Sequence, residues 1–256
     1  MRQISVCLAT FNEEEYLRDC LESVKNLASE IIVVDGGSKD CTLEIAKQFK
    51  AKIIQTTNPI IFHINKNKAI DAATGNWILQ LDADEVVSKQ LAEEVREVVE
   101  KESENAGYWI PRRNFFLGKF LKKGGQYPDY TLRLYQKGKG KLPEKDVHEQ
   151  AVIEGKAGFL KNDLLHLRDK TFAKYMQRFN RYTTLLSKQL KESRIKVGAF
   201  SFIDFVILKP ISWFLKVYLR HRGYTDGFPG FVFALFSSLR FPVAYFKLII
   251  NYEDSN

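Results

Sequence analysis

The stretch NWILQLDADE, residues 76–85, indicates the fold class of this chain. Its apolar run, residues 77–81, is typical of a buried strand in an α/β protein. The run ends in DADE, residues 82–85, which places three carboxylates in four residues. Ligands of open parallel sheets bind outside the carboxyl ends of the strands, and two acids spaced i, i+2 there can hold a divalent cation and, through it, a diphosphate. The alternative is an acidic turn that is simply solvated.

The totals allow one large domain or a domain with an extension. The chain has 256 residues, 39 Lys and Arg against 31 Asp and Glu, and a net charge of +8. This excess suits phosphates, nucleic acid or an anionic membrane surface. The three cysteines form no CxxC pair, so we expect no disulfide scaffold. We expect reduced cysteines in a cytoplasmic protein instead. The N-terminus enters a strand almost at once, which does not match a signal peptide.

The first hundred residues alternate strand and helix patterns. Branched apolar runs at 4–9, 31–35 and 52–55 predict strands, and amphipathic segments between them predict helices. This βαβαβ order predicts a doubly wound sheet. The second strand ends in Asp35-Gly36-Gly37, where glycine lets the backbone approach a ligand closely. The sequence contains neither GxGxxG nor GxxxxGK[ST], which weighs against a dinucleotide or P-loop site.

The pattern changes after residue 106. Segments at 147–153 and 159–167 predict two strands that carry His148 and His166, and 171–190 predicts a polar helix. Residues 201–250 are rich in Phe, Leu and Ile but are interrupted by charges and prolines. We expect helices that lie in a membrane interface, with Trp213, Tyr218, Tyr245 and several Phe at headgroup depth and basic residues towards anionic lipid. These basic residues are Lys209, Lys216, Arg220, Arg222, Arg240 and Lys247. Packing on the N-terminal domain or a dimer interface is the alternative, and of the two apolar segments only the second, at 228–250, could span a membrane instead of lying on it.

The chain resembles a family 2 glycosyltransferase with a GT-A fold. The resemblance is carried by ISVCLATFNEEEYL (4–17), IIVVDGGSKDCT (31–42) and NKNKAIDAATGNWILQLDADE (65–85). YPDYTLRLYQKGKG (127–140), VHEQ (147–150) and LLHL (164–167), followed by the aromatic C-terminal segment, look like the bacterial group that adds β-linked glucose to the lipopolysaccharide inner core. The implied organisation is a GT-A catalytic domain at 1–190, with a nucleotide-sugar half at 1–105 and an acceptor half at 106–190. A membrane-associating helical region follows at 191–256.

The resemblance implies a cleft for a nucleotide sugar, with Mg²⁺ or Mn²⁺ between the protein and the diphosphate. The metal ligands that it implies are Asp84, Asp82 and His166. The implied nucleotide-sugar contacts are Thr10, Asn12, Glu13, Asp35, Gly37, Lys68, Asp82, Ala83, Asp84 and Arg133. Asn67 is an alternative to Lys68. Asp35 has the alternative role of a turn acid, Lys68 that of a surface lysine, and His166 that of a buried, hydrogen-bonded histidine.

An inverting transfer also needs a carboxylate that takes the proton of the acceptor hydroxyl. The two candidates are Glu149 in VHEQ and Asp129 in YPDYTLRL. The family usually has a Glu-Asp pair at the position of the base, whereas this chain has His148-Glu149; we favour Glu149. Arg133 would pair with Asp129 or bind a phosphate.

The expected activity is transfer of a hexose, glucose by resemblance, from a UDP-sugar to a glycolipid such as the lipopolysaccharide core. It would take place at the inner face of the cytoplasmic membrane, without a nucleic acid partner. Two rival functions remain at this stage. A sugar-nucleotide pyrophosphorylase would use a related sheet, but it needs a basic, glycine-rich loop after the first strand, where this chain has the acidic ATFNEEEYL (9–17). A non-enzymatic adaptor for membrane or nucleic acid would account for the positive charge but not for acids at successive strand ends.

Overall fold

The computed structural model describes residues 2–59, 61–144 and 150–253. The chain forms two compact units. The first consists of Met1–Arg113 and Asp129–Arg168, and the second of Asn114–Pro128 and Asp169–Asn256. The sequence-based boundary at residue 190, which marks a membrane-associating region, stays a prediction.

The first unit is an α/β structure. Its strands are β1 (Ile4–Thr10), β2 (Glu30–Asp35), β3 (Lys52–Gln55), β4 (Trp77–Leu81), β5 (Glu85–Val87), β6 (Asn105–Phe116, which runs on into the second unit), β8 (Asp129–Gln136), β9 (Gly140–Lys141), β10 (Val152–Ile153), β11 (Lys156–Phe159) and β12 (Leu164–Asp169). Its helices are α1 (Leu17–Val24), α2 (Thr42–Gln48), α3 (His63–Asp71) and α4 (Lys89–Glu100). The short β7 (Lys119–Phe120) pairs with the end of β6.

The main sheet has the order β3-β2-β1-β4-β8-β6-β12-β5. Strands β3, β2, β1 and β4 are parallel to their neighbours, so their carboxyl ends lie along one edge. β8 adds to β4 in the antiparallel direction, and β6 adds to β8 in the same way. The predicted α/β fold with a mostly parallel sheet in the first part of the chain is therefore confirmed, whereas nucleotide binding by this part stays a prediction.

The core explains why these segments adopt their structures. Leu17, Cys20, Leu21 and Val24 of α1 are fully buried at the i, i+3, i+4, i+7 spacing of an amphipathic helix. They belong to one apolar cluster that includes Trp77, Leu79 and Leu81 of β4. This packing fixes the end of β4, and with it the position of the acids that follow.

Two strand predictions differ from the structure. The predicted strand at 159–167 is split into β11 and β12, because Glu94 of α4 accepts hydrogen bonds from the backbone amides of Lys161 and Asn162 and holds a turn there. The predicted strand at 147–153 is observed only as Val152–Ile153, and residues 147–149 lie outside the described residues. After the acids of the 82–85 run, the chain continues directly into β5, which begins at Glu85.

The second unit is mainly helical. Its helices are α5 (Phe172–Glu192), α6 (Ala199–Ile203), α7 (Lys209–Leu215) and α8 (Phe228–Glu253), with π-helical turns at Asp204–Leu208 and Lys216–Arg220 and a 3₁₀ turn at Gly223–Asp226. α8 packs against α5 and α7. Phe116, Leu121, Tyr175 and Val232 form a buried cluster of this unit. Within the described residues, one helical stretch, Phe228–Ile250, is long and apolar enough to cross a membrane. Of its most apolar part, 33% is buried in the protein.

The structure corrects the expected orientation of two side chains in α8. Tyr245, expected at headgroup depth, is 1% exposed because its ring stacks on Phe205 and its hydroxyl lies 2.9 Å from the Ser201 hydroxyl. Lys247, expected to face anionic lipid, donates hydrogen bonds to Thr183 and to Asn180 of α5. These two side chains connect helices of the second unit, Tyr245 in its buried core and Lys247 at the half-buried contact with α5.

Candidate active site

The carboxyl ends of β1 and β2 meet at Thr10 and Asp35, which are register partners. The Thr10 hydroxyl donates to Asp35 Oδ1 at 3.1 Å, and Asp35 Oδ2 accepts from the backbone amides of Gly37 at 2.9 Å and Ser38 at 2.8 Å. The Ser38 hydroxyl also donates to Asp35 Oδ1 at 2.5 Å. Asp35 is fully buried. In this structure it therefore acts as the turn acid that was the alternative interpretation, and its nucleotide contact stays a prediction.

Gly37 and Asn12 shape the same loops. Gly37 has a φ of +90°, a region that other residues rarely adopt, so the turn after β2 requires glycine. The Asn12 side-chain oxygen accepts from the Lys39 backbone amide at 2.8 Å, and the Asn12 backbone amide donates to the Ser38 hydroxyl at 2.8 Å. These bonds tie the loop after β1 to the loop after β2, so the predicted contacts of both loops lie at one edge of the sheet.

Asp82, directly after β4, is held by two cations. The Lys66 ammonium of α3 contacts Oδ1, and the Arg133 guanidinium of β8 contacts Oδ2 at 2.5 Å. Burial alone would raise the pKa of Asp82, but Arg133 and Lys66 hold it well below its usual range. Burial also lowers the pKa of Lys66, which is 6% exposed. Asp82 is therefore ionised and already neutralised by the protein.

The network continues away from Asp82. Arg133 also donates to Gln80 Oε1 at 2.5 Å and to Glu85 Oε1 at 2.7 Å, and Glu85 is fully buried. Arg112 of β6 reaches the same Glu85 oxygen at 3.3 Å and Asp129 Oδ2 at 2.7 Å. Pairing with Asp129 was one of the two roles expected for Arg133. The structure gives that role to Arg112, because the β6–β8 register places Arg112 opposite Asp129.

Asp84 lies beside His166 and Arg168 of β12. Its Oδ2 is 3.4 Å from His166 Nε2 and 3.5 Å from Arg168 Nε, and the Asp84 carbonyl accepts from the Leu167 amide at 2.9 Å. Burial would raise the pKa of Asp84, but His166 and Arg168 lower it. Glu13, from the loop after β1, interacts electrostatically with the same acids. Burial, together with Asp84 and Asp82, raises the pKa of Glu13 to about 7. Glu13, Asp82 and Asp84 thus share one electrostatic environment.

The predicted metal ligands are only partly brought together. Within the described ranges 2–59, 61–144 and 150–253, no group of three or more His, Cys, Asp or Glu side chains has the arrangement of a metal site. Asp84 and His166 are adjacent, whereas Asp82 is engaged by Lys66 and Arg133. Carboxylate and imidazole suit a divalent cation, so Asp84 and His166 fit such an ion if phosphate oxygens complete its shell.

The structure identifies the inner lysine of α3. Lys68 is exposed and donates to the Thr56 hydroxyl at 2.8 Å, whereas Lys66 points to Asp82. Helical spacing could have shown this, since Lys66 lies on the same face as the buried Ala69, Ile70 and Ala73. Glu85 and Arg112 were also missed as members of the network. No local pattern marks them, because their contacts join strands that are distant in sequence.

The two base candidates have different outcomes. Glu149 lies outside the described residues, so its role stays a prediction. Asp129 is described, and its Oδ2 accepts from Arg112 Nε at 3.0 Å as well as from the terminal nitrogen. Ala83 is 4% exposed between the two acids, and its predicted contact is also untested.

Comparison with known proteins decides the family. Residues 5–164 match the family described as Glycosyl transferase family 2. The chain belongs to glycosyl transferase family 2. The resemblance inferred from the motifs is thereby confirmed, and a pyrophosphorylase or a non-enzymatic adaptor is no longer a fitting description. The family 2 assignment gives this chain a glycosyltransferase activity.

Relatives of this family 2 enzyme agree with the assignment. It is 30% identical to the lipopolysaccharide core biosynthesis glycosyltransferase LpsC of Rhizobium meliloti, over 91% of this chain and 86% of that protein. An uncharacterized glycosyltransferase of Rickettsia felis is 27% identical, over 100% of this chain and 91% of that protein. The fold resembles that of the Pyrobaculum calidifontis mannosyltransferase PcManGT, solved with GDP-Man and Mn²⁺, at a TM-score of 0.52 and 16% identity over 95% of this chain and 73% of that one. The predicted GT-A fold is confirmed.

Proposed function

We propose that this glycosyltransferase is metal-dependent and inverting, and that it moves a hexose from a UDP-sugar to a hydroxyl of a glycolipid. Glucose as the sugar rests on the motif resemblance, and the lipopolysaccharide core as the acceptor is supported by the likeness to LpsC. The observation that carries the proposal is Asp84 beside His166, at the edge of the sheet where the loops after β1 and β2 also meet.

The charges of this edge explain why a cation is needed. Lys66 and Arg133 compensate Asp82, whereas Asp84 lies close enough to Glu13 to raise its pKa, and the negative charge of these two acids would repel a diphosphate. Asp84 and His166 would hold Mg²⁺ or Mn²⁺, and the bound cation would stabilise the negative charge of the departing nucleotide diphosphate. Lys66 and Arg133 add fixed positive charge beside Asp82. Asp82 would thereby stay oriented towards the ribose or the cation.

Proton removal from the acceptor is assigned to Glu149. Two Arg112 nitrogens donate to one oxygen of Asp129, so this carboxylate is held in place and partly occupied. We therefore propose that Asp129 orients a sugar hydroxyl, while Glu149 takes the proton as the acceptor oxygen attacks the anomeric carbon. No further general acid would be required of the protein, since a divalent cation held by Asp84 and His166 would stabilise the charge of the leaving group.

We place the reaction at the cytoplasmic face of the membrane, where a glycolipid acceptor is presented. The many large apolar side chains exposed on the helical second unit support this location, among them Phe200 at 88% and Phe228 at 72%.

Thermal unfolding with ligands tests the donor site. The melting temperature should rise with Mn²⁺ and UDP together and much less with either alone, because a ligand that binds the native state stabilises it. A panel of UDP-, GDP- and ADP-sugars, scored by release of the nucleotide diphosphate, then identifies the donor. An equal response to UDP with and without the cation would contradict metal dependence, and turnover of a GDP-sugar alone would contradict the UDP assignment.

A further inference from the structure

The helical segment 199–220 of the second unit carries an aliphatic stripe. Its members recur at every fourth position and are between 43% and 56% exposed. The stripe consists of Ile203, Ile207, Ile211, Leu215 and Leu219. Leu208 at 58% and Phe200 at 88% extend it. Single exposed aliphatic residues are ordinary on protein surfaces, but an ordered row of them indicates a surface that something covers.

The helix geometry keeps this row on one side. In a regular α-helix, positions four apart rotate by about 40° at each step, so five such positions would wind around the helix. The π-helical turns at Asp204–Leu208 and Lys216–Arg220 widen the helix and reduce that drift. The inward side is occupied separately by the buried Phe205, Pro210 and Val217. The packing of the unit therefore does not account for the apolar stripe.

The charge around the stripe is strongly positive. Residues 194–223 contain six basic residues, Arg194, Lys196, Lys209, Lys216, Arg220 and Arg222, against one acid, Asp204. That acid pairs with Lys209 at 2.7 Å. A row of aliphatic side chains flanked by cations matches the surface of an anionic bilayer.

A loop adds two more cations at one end of the stripe. The carboxylate of Asp226 is 2% exposed and accepts from the backbone amides of Lys122 at 3.0 Å and Lys123 at 2.8 Å. The Gly124 amide donates to the His221 carbonyl at 2.9 Å. Both lysines are exposed, and these bonds hold their loop beside the Arg220–Arg222 end of the helix.

We propose that the 203–219 stripe is the membrane-binding face of this protein, lying in the headgroup boundary of an anionic bilayer with Lys122, Lys123, Arg220 and Arg222 against the lipid phosphates. The proposal rests on the membrane location given under Proposed function and assigns it to one face. A second copy of the chain fits less well, because two such faces would bring like charges together. The alternative lipid-facing helix, α8, buries Tyr245 in the unit and turns the Lys247 ammonium to Thr183 of α5 and so away from lipid phosphates.

The test is co-sedimentation of the full chain with vesicles of phosphatidylcholine alone or mixed with phosphatidylglycerol. Wild-type protein should bind the mixed vesicles and be released as salt rises. The triple variant Ile207→Gln, Ile211→Gln, Leu215→Gln should lose on the order of tenfold or more in partition coefficient, because three insertable side chains are removed. Glutamine keeps helix propensity, and the half-exposed positions tolerate it.

The matched control is Phe231→Gln, Phe246→Gln, Ile250→Gln on α8, whose side chains are 39%, 43% and 59% exposed. This variant should bind vesicles like wild type; an equal or larger loss than in the stripe variant overturns the assignment. Wild-type dimerisation that the stripe variant abolishes would also overturn it, by showing that a second copy covers the stripe. Mn²⁺-dependent UDP binding, measured on the same samples, should be unchanged in both variants, so loss of membrane binding is separated from failure of the proposed donor site.

Discussion

Lys66 and Asp82 form an ion pair in which the lysine is almost wholly buried, and Arg133 holds the second Asp82 oxygen at 2.5 Å. Removing one partner of such a pair leaves a charge without full compensation. Lys66→Met should therefore lower the free energy of unfolding by about 2 kcal/mol, a partial loss because Arg133 remains. Urea denaturation measures it.

Lys68→Met is the matched control for this change. Lys68 lies on the same helix but is exposed, and its ammonium donates to the Thr56 hydroxyl at 2.8 Å. Its loss should change stability by less than about 0.5 kcal/mol. Equal effects of the two substitutions would contradict the importance of the Lys66–Asp82 pair.

Asp84→Asn tests the cation site. The amide cannot supply the charge that a divalent cation requires, so Mn²⁺-dependent UDP affinity should fall by at least about tenfold. Isothermal titration with and without chelator measures it. Asp71→Asn, an exposed acid on α3, is the control and should bind as wild type does. If Asp84→Asn retains the full metal dependence, the cation is held elsewhere.

The two base candidates make opposite predictions in single-turnover assays with a saturating donor. Glu149→Gln should keep donor affinity and lose on the order of 10² to 10⁴ in rate, as expected when a general base is removed. Asp129→Asn should lose less and should also weaken the contact to Arg112. A large rate loss in Asp129→Asn with an active Glu149→Gln would reverse the assignment.

The hydrogen bonds of Glu30, at the start of β2 and away from the candidate site, predict that the stability of the fold falls at acidic pH. Burial alone would raise the pKa of Glu30. Its carboxylate accepts hydrogen bonds from the Ser5 hydroxyl at 2.5 Å and the Thr74 hydroxyl at 2.8 Å, and also from the Thr74 and Gly75 backbone amides. These bonds lower the pKa from its ordinary value of 4.5. The folded pKa is depressed, so this stabilisation is present above pH 4.5 and is lost as the pH falls through the folded pKa.

Glu30→Gln should therefore cost about 1 kcal/mol at pH 7, a value reduced for solvent screening, and the difference from wild type should shrink below pH 4.5. Urea unfolding at both pH values measures it. Glu104→Gln serves as the control, since its pair with Lys156 is highly exposed and should contribute little at any pH. A constant difference between wild type and Glu30→Gln across the pH range would exclude the linkage.

Local patterns predicted the parallel half of the sheet well. The runs that became β1, β2, β3 and β4 are short, branched and apolar, and each leads into a loop with a clear polar signature. The acids of the DADE edge, residues 82–85, could be placed for the same reason, because parallel strands bring their carboxyl ends to one side.

The partners of those acids could not be predicted in the same way. Arg112 meets Asp129 through the antiparallel β6–β8 register, and a register shift between Tyr108 and Trp109 within that pair has no sequence signature. The choice between Lys66 and Lys68 was within reach of helical periodicity, but both lysines follow an asparagine, and the motif alone does not distinguish them.

The clamp between Asp226 and the amides of Lys122 and Lys123 joins parts of the chain that are 104 and 103 residues apart. A shortened protein that stops before this aspartate would leave those amides unpaired, and the loss of Val232 would uncover Phe116 and Leu121 to water. Such a protein should aggregate through its newly exposed aromatic surface. Truncation would therefore not separate catalysis from the proposed membrane attachment, and point substitutions on the folded chain are the better test.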